Sequence, residues 1–292
     1  MNATIARGVL ADYCNLMKPR IIVLLLVTTA AAMIMAARGI PPLALTLWTL
    51  LGGALAAGSA GALNCIYDCD IDRLMRRTMA RPIAAGRIST RNATIFAIVI
   101  GIAAFAILFY LVNPLAAWLS LAGNAYYVVV YTMWLKRITP LNIVIGGAAG
   151  SVPPLVGWAA VTHQLGGPAL GLFALIFLWT PPHFWSLALM TETDYSKARI
   201  PMLPNVSGEE RTKREIIYYT ILLVFASLLL YPLHVMGVAY TAAAAVLGGI
   251  FLYDTIRTWK DPGKTWARRT FRFSLVYLAL MCAVMVIDRI IA

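Results

Sequence analysis

The stretch Asn64–Pro82, NCIYDCDIDRLMRRTMARP, places three carboxylates and four arginines directly after a long apolar run. Asn64, Asp68 and Asp72 follow one another at intervals of four residues. On a helix this spacing puts the three side chains on one face, whereas Asp70 lies on roughly the opposite face. The stretch therefore predicts a polar stripe at the end of a membrane helix.

Carboxylates crowded at a membrane boundary are costly to keep ionised unless a cation or water compensates them. Mg²⁺ suits such a stripe, because it uses one or two protein carboxylates and takes its other ligands from water and substrate phosphates. Arg77 and Arg81 lie just behind the stripe and match phosphate oxygens. The plain alternative is a solvated helix end in which Asp72 pairs with Arg76 at i+4.

The composition identifies the class of protein. Of 292 residues, 61% are hydrophobic and 12% are charged, and the mean hydropathy is +0.79. A soluble domain of this length does not need so much apolar surface, so the chain is interpreted as an all-α integral membrane protein. The net charge of +12 comes from residues between apolar runs. Membrane topology and anionic ligands explain that charge, and no nucleic-acid partner is expected.

Runs of about 20 apolar residues predict transmembrane helices, and the chain has nine of them. Proline-rich or glycine-rich connections separate several of the runs. The predicted spans are Ile21–Ala37, Leu43–Leu63, Ala93–Leu111, Leu115–Leu135, Leu141–Val161, Ala169–Met190, Ile216–Tyr231, Val238–Tyr253 and Phe271–Ile287.

The charges predict the orientation of these spans. With the N-terminus in the cytoplasm, 22 of the 24 lysines and arginines fall on inner segments, and only Arg38 and Arg289 lie outside. Of the acidic residues, only Asp288 lies outside. This positive-inside bias predicts a cytoplasmic N-terminus and an external C-terminus.

The chain is interpreted as a single domain, residues 1–292, with a cytoplasmic N-terminal segment at 1–20. Two long inner loops, 64–91 and 191–215, each follow an apolar span, start with acidic residues and continue with basic ones. They suggest a weak internal repeat of a helix pair with an acidic inner end. The active-site residues are expected in these loops, on the cytoplasmic face.

Several motifs, in order along the chain, resemble the UbiA-type intramembrane prenyltransferases and in particular their protohaem IX farnesyltransferase branch. The first is Asn64-x₃-Asp68-x₃-Asp72, followed by Met75-x-Arg77-Thr78-x₂-Arg81-Pro82. The resemblance covers the chain from about Leu16 to the last helix. The further motifs are Leu16–Ile21 (LMKPRI), the segment Tyr131–Trp158, Trp179–Trp185 (WTPPHFW), and Asp194-Tyr195 through Ile200–Pro204 (IPMLP).

The resemblance implies a bundle of nine helices around a central chamber that opens to the cytoplasm. A polyprenyl diphosphate would bind there through Mg²⁺ held by two acidic helix ends. Asn64, Asp68 and Asp72 would form the first metal and catalytic site, and Asp194 would supply the acid of the second. The wider family has several aspartates at the second site, whereas this chain offers Glu192 and Asp194, so a leaner second site is expected.

The resemblance also implies which basic residues contact the diphosphate. Arg77 and Arg81 follow the acidic stripe directly. Lys136, Arg137 and Lys197 would ordinarily be read as cytoplasmic anchors of the positive-inside kind. Within the family pattern, all five are expected to bind the diphosphate.

The haem or acceptor pocket is expected around His183, Tyr131 and Tyr195. His183 lies in an apolar span that leads to the second acidic loop. Its imidazole could ligate haem iron, bond the diphosphate or be an ordinary core group. Aromatic rings near it can stabilise an allylic cation and stack on a porphyrin.

The implied reaction is transfer of a farnesyl group from farnesyl diphosphate to a vinyl group of haem b, with addition of water, giving haem O and diphosphate. One alternative is a prenyltransferase that acts on an aromatic quinone precursor. Others are a non-catalytic membrane assembly protein and a transport protein. The nearly charge-free spans disfavour transport, and loss of the aspartate stripe would be tolerated by an assembly protein.

The implied cofactor is Mg²⁺ and the implied partners are farnesyl diphosphate, haem b and membrane lipid. The expected protein partners are the next haem-modifying enzyme or a haem-copper oxidase. The expected location is the bacterial cytoplasmic (inner) membrane, with several passes and an active site that faces the cytoplasm.

Overall fold

A computed structural model describes the backbone of residues 2–291 and the side chains of residues 8–291. Over this range the regular structure is helical and contains no strand. A π-helix, Tyr126–Trp134, and a 3₁₀ turn, Leu135–Arg137, separate two of the α-helices. The α-helices are α1 Asn2–Leu16, α2 Pro19–Ala37, α3 Leu43–Tyr67, α4 Cys69–Asp72, α5 Thr90–Leu111, α6 Pro114–Ala125, α7 Asn142–Ser151, α8 Pro153–Thr162, α9 Gly167–Met190, α10 Glu192–Lys197, α11 Leu203–Leu229, α12 Val238–Lys260 and α13 Thr265–Ile291.

Seven helices in the described range are long and apolar enough to cross a membrane. They occupy seven of the nine positions predicted from hydropathy. They are Pro19–Ala37, Leu43–Tyr67, Thr90–Leu111, Asn142–Thr162, Gly167–Met190, Val238–Lys260 and Thr265–Ile291. The fourth predicted span is divided between α6 and the π-helix, and the apolar part of the seventh follows a charged first half of α11. The count of nine spans therefore stays a prediction.

The helix starts follow local chemistry. Pro19, Pro114 and Pro153 each open a helix, where the missing N–H costs nothing. Asn113 caps α6, because its side-chain oxygen accepts a hydrogen bond from the Ala116 backbone N–H at 2.9 Å. Pro19 and Pro114 thus lie at the starts of predicted spans, whereas Pro153 divides the predicted span Leu141–Val161 into α7 and α8.

Two regions contain more helix than expected. Residues 2–16 of the N-terminal segment form α1, and the inner loop 191–215 is largely helical, with α10 and the first half of α11. Hydropathy misses these helices because their sequences are polar or mixed and do not need to cross the membrane. Gly208, at φ 81°, interrupts α11 near its start.

Helix pairs recur in the bundle. α3 packs against α5, and α9 packs against α11, so each long inner loop joins two neighbouring helices, in agreement with the suggested repeat. α2 packs closely on α8. A Cβ at Gly157 would lie 2.3 Å from the Thr29 carbonyl oxygen, so only glycine allows this approach.

The outside of the bundle is apolar. On α5, Ile95, Val99 and Ile102 are each more than half exposed and lie on one stripe. Such a surface would be an aggregation liability in water but is suited to lipid. The fold is thus that of a multi-pass membrane protein with a polar interior at one end.

Candidate active site

A chamber of about 480 Å³ lies inside the bundle. Side chains from α2, α3, the π-helix, α7, α9 and α13 line it. Most of the lining is apolar, but one cluster of charged and amide side chains interrupts it. This cluster is called the charged pole here. It consists of Lys18, Asn64, Asp72, Arg81 and Lys136, which line the chamber, and of Asp68, which pairs with Lys136 but is fully buried and does not line the chamber itself.

The acidic stripe has the arrangement that its spacing predicts. α3 ends at Tyr67, Asp68 lies at the boundary, and α4 continues to Asp72. Asn64, Asp68 and Asp72 are buried, with 3%, 0% and 1% of their surface exposed. The Asp70 side chain instead is 62% exposed, on the opposite side. The three aligned residues therefore point inward together.

Each member of the stripe has a basic partner. Lys136 forms an ion pair with Asp68, and Lys18 donates a hydrogen bond to the side-chain oxygen of Asn64. Arg81 donates from one nitrogen, Nη1, to both carboxylate oxygens of Asp72, at 2.9 and 2.7 Å. Asp72 thus pairs with Arg81, nine residues further along the chain, and not with Arg76 at i+4. Each buried carboxylate thus has a cation beside it, as buried charged groups generally require.

Asn64 connects the carboxylates to the π-helix. Its Nδ2 donates to Asp68 Oδ2 at 2.8 Å and to Thr132 Oγ1 at 3.0 Å. The other carboxylate oxygen, Asp68 Oδ1, is buried and accepts no hydrogen bond. A buried carboxylate oxygen without a partner is unfavourable unless a further cation or donor occupies its side.

The donor set of the charged pole fits a hard divalent cation. Two carboxylates and one amide oxygen are the ligand types that Mg²⁺ prefers, and Asp68 Oδ1 is unused. The described residues contain no group of three His, Cys, Asp or Glu side chains arranged to hold a metal. The protein could therefore hold Mg²⁺ only with ligands shared by water or phosphate, which is its usual mode.

Arg77 joins the two inner loops. Its Nη2 donates to the Tyr195 hydroxyl at 2.8 Å, and its guanidinium lies 5.0 Å from the centre of the Tyr195 ring. Tyr195 is 4% exposed, and burial raises the pKa of its hydroxyl. Both residues line the chamber, so the wall near the charged pole is built from loops 64–91 and 191–215 together.

Three residues expected at the diphosphate lie elsewhere. Arg137 makes a two-pronged contact with Asp70, at 2.7 and 2.8 Å, and reaches only to 4.0 Å from Asp68 Oδ1. Arg137 and Lys197 line a second cleft outside the chamber, and Asp194 is not among the residues that line the chamber. Their roles at the diphosphate stay predictions.

An aromatic pole lies at another part of the chamber and is formed by Trp179, His183, Phe184 and Phe271. The His183 ring stacks on Trp179, with ring centres 4.3 Å apart, and on Phe271, at 4.7 Å. Phe184 meets it edge-on at 5.2 Å. His183 thus belongs to the chamber, as expected, and lies there among aromatic rings.

Tyr131 lies on the chamber wall because of a glycine. Its ring stacks on Tyr127 at 5.4 Å. A Cβ at Gly146 would lie 2.3 Å from a carbon of the Tyr131 ring. Any larger residue in α7 at this position would displace the tyrosine.

Sequence reasoning missed Lys18 as a site residue. The sequence indicates a topological charge that belongs to the LMKPRI motif, whereas in the structure the ammonium group reaches Asn64. Its backbone is left-handed, with φ 60°. Desolvation of the ammonium group lowers the pKa of Lys18. Only the unusual position of a lysine directly before the first proline of a membrane helix could have indicated it.

Comparison with known proteins gives a consistent result. The UbiA prenyltransferase family matches residues 25–276. A protoheme IX farnesyltransferase from Synechocystis sp. is 56% identical over 283 residues, covering 96% of this chain and 90% of the relative. Proteins of the same name from Gloeobacter violaceus and Gloeothece citriformis are 54% and 53% identical, each over 96% of this chain and over 92% and 87% of the relative.

Solved structures share the fold. A digeranylgeranylglyceryl phosphate synthase has a TM-score of 0.80 at 19% identity, covering 97% of this chain and 99% of that one. A UbiA homologue from Archaeoglobus fulgidus, bound to GPP and Mg²⁺, has a TM-score of 0.70 at 18% identity, covering 94% and 99%. At these identities the likeness concerns the fold.

Proposed function

The chain belongs to the UbiA prenyltransferase family, and we propose from that premise that it is a Mg²⁺-dependent haem farnesyltransferase. It transfers the farnesyl group of farnesyl diphosphate to a vinyl carbon of haem b. Water adds to the other vinyl carbon, and the products are haem O and diphosphate. Identity of 51 to 56% with protoheme IX farnesyltransferases over nearly the whole chain supports this choice of substrates.

One observation carries the proposal. The same chamber contains a charged pole of three basic residues on two carboxylates and an amide, and an aromatic pole around His183. A diphosphate needs the first environment, and a prenyl chain and a porphyrin need the second. No nucleophilic side chain is required, because ionisation of the allylic diphosphate supplies the electrophile.

The charged pole holds the leaving group. Lys18, Arg81 and Lys136 each carry donors beyond those used on the carboxylates, and these can reach diphosphate oxygens. Mg²⁺ bound by Asn64, Asp68 and Asp72 would add positive charge where the departing diphosphate becomes more negative. The carboxylates in turn hold the basic side chains in place before substrate binds, so little reorganisation is needed when charge develops.

The rest of the chamber protects the allylic cation. Tyr127, Tyr131 and Trp179 present aromatic faces, which stabilise a cation without reacting with it. Burial of the chamber excludes bulk water until the vinyl group has attacked. Water then adds to the cation formed on the porphyrin side chain, which leaves a hydroxyethylfarnesyl group.

The residues outside the chamber have proposed roles in substrate capture. Asp194 is adjacent to Tyr195, whose hydroxyl contacts Arg77, and would hold a second Mg²⁺ with water and phosphate as the other ligands. Arg137 and Lys197 line the cleft next to α4 and would attract the diphosphate as it approaches.

We further propose nine membrane spans within one domain, with the N-terminus in the cytoplasm and the C-terminus outside. The bacterial cytoplasmic membrane is the proposed location, and the charged pole would face the cytoplasm. The distribution of lysine and arginine supports this orientation. Transfer of the product to a haem-modifying enzyme or a haem-copper oxidase would follow.

Competition between acceptors tests the choice of substrate. Detergent-purified protein is given farnesyl diphosphate and Mg²⁺ with haem b, with 4-hydroxybenzoate, or with both, and released diphosphate is measured. We expect release that depends on haem b and is unaffected by the phenol. Release driven by the phenol alone would instead identify a quinone-precursor prenyltransferase, and release with neither acceptor would indicate simple hydrolysis.

A further inference from the structure

Three hydrogen bonds converge on Ser274 of α13. Trp179 donates from Nε1 to the Ser274 carbonyl oxygen at 2.7 Å. The Ser274 hydroxyl donates to the Phe271 carbonyl oxygen at 2.7 Å. The Nδ1 atom of His183 lies 2.7 Å from the same hydroxyl oxygen. Ser274 is fully buried, so no bulk water competes for these contacts.

This network selects one tautomer of His183. A serine hydroxyl has a single proton, and here that proton goes to Phe271. Nδ1 of His183 must then carry its own proton and donate it to Ser274. The opposite tautomer would make one hydrogen bond fewer. It would also leave the Nε2–H group of the imidazole without a partner in the apolar part of the chamber.

The second ring nitrogen is left free. Among the described residues, Nδ1 is the one atom of the His183 ring that has a hydrogen-bond partner. His183 lines the chamber and keeps 8% of its surface exposed there. Stacking on Trp179 and Phe271 fixes the plane of the ring. A histidine that only filled the core would not need an unpartnered nitrogen turned to a cavity.

A neutral imidazole with one N–H held by an oxygen and the other nitrogen unprotonated is the form that binds transition metals. We propose that Ser274 is a positioning residue that holds His183 in the Nδ1–H tautomer, so that Nε2 ligates the iron of the porphyrin acceptor. This inference rests on haem b being the acceptor. It assigns the aromatic pole to the porphyrin and leaves the charged pole to the diphosphate.

Ligation is tested by binding ferrous haem b to the purified full-length protein and recording its resonance Raman spectrum. We expect an iron–histidine stretching band, its loss in His183→Ala, and its return when imidazole is added to that variant. In Ser274→Ala the band should move to lower frequency, and haem should bind about 10-fold or more weakly, the usual cost of losing such a supporting contact.

Ser186→Ala is the matched control. Ser186 lies in the same helix as His183, is fully buried, and donates only to the Pro182 carbonyl oxygen at 2.7 Å. Loss of the Ser186 hydroxyl should leave the iron–histidine band and the haem affinity unchanged. If Ser274→Ala has the spectrum and the haem affinity of the wild type, the positioning role is overturned. If haem bound to the wild-type protein shows no iron–histidine band, ligation is overturned.

A second measurement does not depend on a Ser274 variant. The chain has three histidines, so ¹⁵N-histidine labelling gives a simple NMR spectrum, in which His183→Ala identifies the signal of interest. We expect a protonated Nδ1 and an unprotonated Nε2 at His183, and the reverse would contradict the inference. Farnesyl transfer measured in the same preparation keeps the two ideas separate. Transfer without the iron–histidine band overturns ligation alone, whereas the band without transfer overturns the proposed activity.

Discussion

Asp68 is the residue on which the charged pole depends. It is fully buried, pairs with Lys136, accepts a hydrogen bond from Asn64 and keeps one oxygen without a partner. Asp72 differs, because both of its oxygens already accept from Arg81. The two aspartates therefore differ in their surroundings: Asp68 has one oxygen without a hydrogen-bond partner, whereas both oxygens of Asp72 accept from Arg81.

Asp68→Asn and Asp72→Asn should each lower turnover by at least about 100-fold, because the charge that organises the leaving-group site is lost. Farnesyl transfer by purified protein is the measurement, with gel filtration as the check that the variant is folded. Asp70→Asn is the matched control, since Asp70 is exposed and pairs outside the chamber with Arg137. Near-normal turnover in Asp68→Asn would show that Asp68 is not a ligand of the metal.

Lys18 predicts a pH effect on substrate binding. Burial lowers the pKa of Lys18, so its ammonium group loses its proton at a lower pH than an ordinary lysine does. We expect the affinity for farnesyl diphosphate to fall as alkaline pH removes this charge. Lys18→Arg should move that fall to higher pH, because arginine stays charged. Identical pH profiles for the two proteins would exclude Lys18 from the site.

At this scale the sequence predicts the acidic stripe but not its partners. Asn64, Asp68 and Asp72 share a face by helical periodicity alone, so a local pattern is sufficient. The contact of Lys18 with Asn64 joins residues 46 positions apart. Arg137, the chain neighbour of the inward-facing Lys136, pairs outside the chamber. Which basic residue turns inward is decided by tertiary packing and not by local sequence.

At the scale of elements, the π-helix Tyr126–Trp134 shapes the chamber wall. Such helices are rare and are frequently found at functional sites. This one stacks Tyr127 on Tyr131 and leads directly to Lys136. The position of α7 depends on the same tyrosine, because Gly146 is in contact with its ring.

Gly146→Ala should displace the Tyr131 ring, since the added carbon would lie 2.3 Å from it. We expect farnesyl transfer to fall about 10- to 100-fold from misplacement in the chamber, and stability to fall by about 1–3 kcal/mol from overpacking. Gly249→Ala is the control, because a Cβ at Gly249 in α12 meets nothing within 4 Å. Full activity in Gly146→Ala would show that the position of Tyr131 is unimportant.

The hydrogen bond from Arg77 to the Tyr195 hydroxyl, called the bridge here, joins the two inner loops. Tyr195→Phe removes the hydrogen bond from Arg77 but keeps the ring under its guanidinium. Loss of one such bond should raise the KM for farnesyl diphosphate about 2- to 10-fold. Tyr67→Phe is matched to it, because Tyr67 lies under Arg137 at 4.8 Å but outside the chamber. Equal effects of the two substitutions would contradict a specific role for the bridge.

Hydropathy predicts where the long apolar helices lie, because burial in lipid requires about 20 apolar residues. It does not predict α1, α10 or the first half of α11, whose sequences are polar or mixed. Nor does it predict the π-helix, whose apolar sequence is equally compatible with an α-helix. The π-helix packs against α3, α6 and α7, and these contacts between distant parts of the chain are not visible in a local sequence pattern.

On the scale of the whole molecule, the chamber divides into a charged and an aromatic pole. The two poles come from distant parts of the chain. Lys18, the stretch 64–81 and Lys136 supply the charged pole, whereas α9 and α13 supply the aromatic pole. The sequence motifs indicate both sets of residues, but α13 carries no motif that predicts Phe271 or Ser274 in the chamber. The contribution of α13 to the chamber depends on tertiary packing, which local sequence patterns do not describe.

The orientation of the molecule is testable with a native thiol. Cys14 is exposed, whereas Cys65 and Cys282 are buried. A membrane-impermeant maleimide should label Cys14 in inverted vesicles and leave it unlabelled in intact cells. Gln164→Cys, in an exposed connection on the opposite side, should show the reverse. Labelling of Cys14 in intact cells would overturn the cytoplasmic N-terminus.

The mass of the haem product tests the central claim most directly. Purified wild-type protein is incubated with haem b, farnesyl diphosphate and Mg²⁺, and the extracted haem is examined by mass spectrometry. The two-pole chamber predicts a gain of one farnesyl group plus one water, absent when farnesyl diphosphate is omitted. Haem recovered unchanged from protein that still prenylates a phenolic acceptor would contradict it.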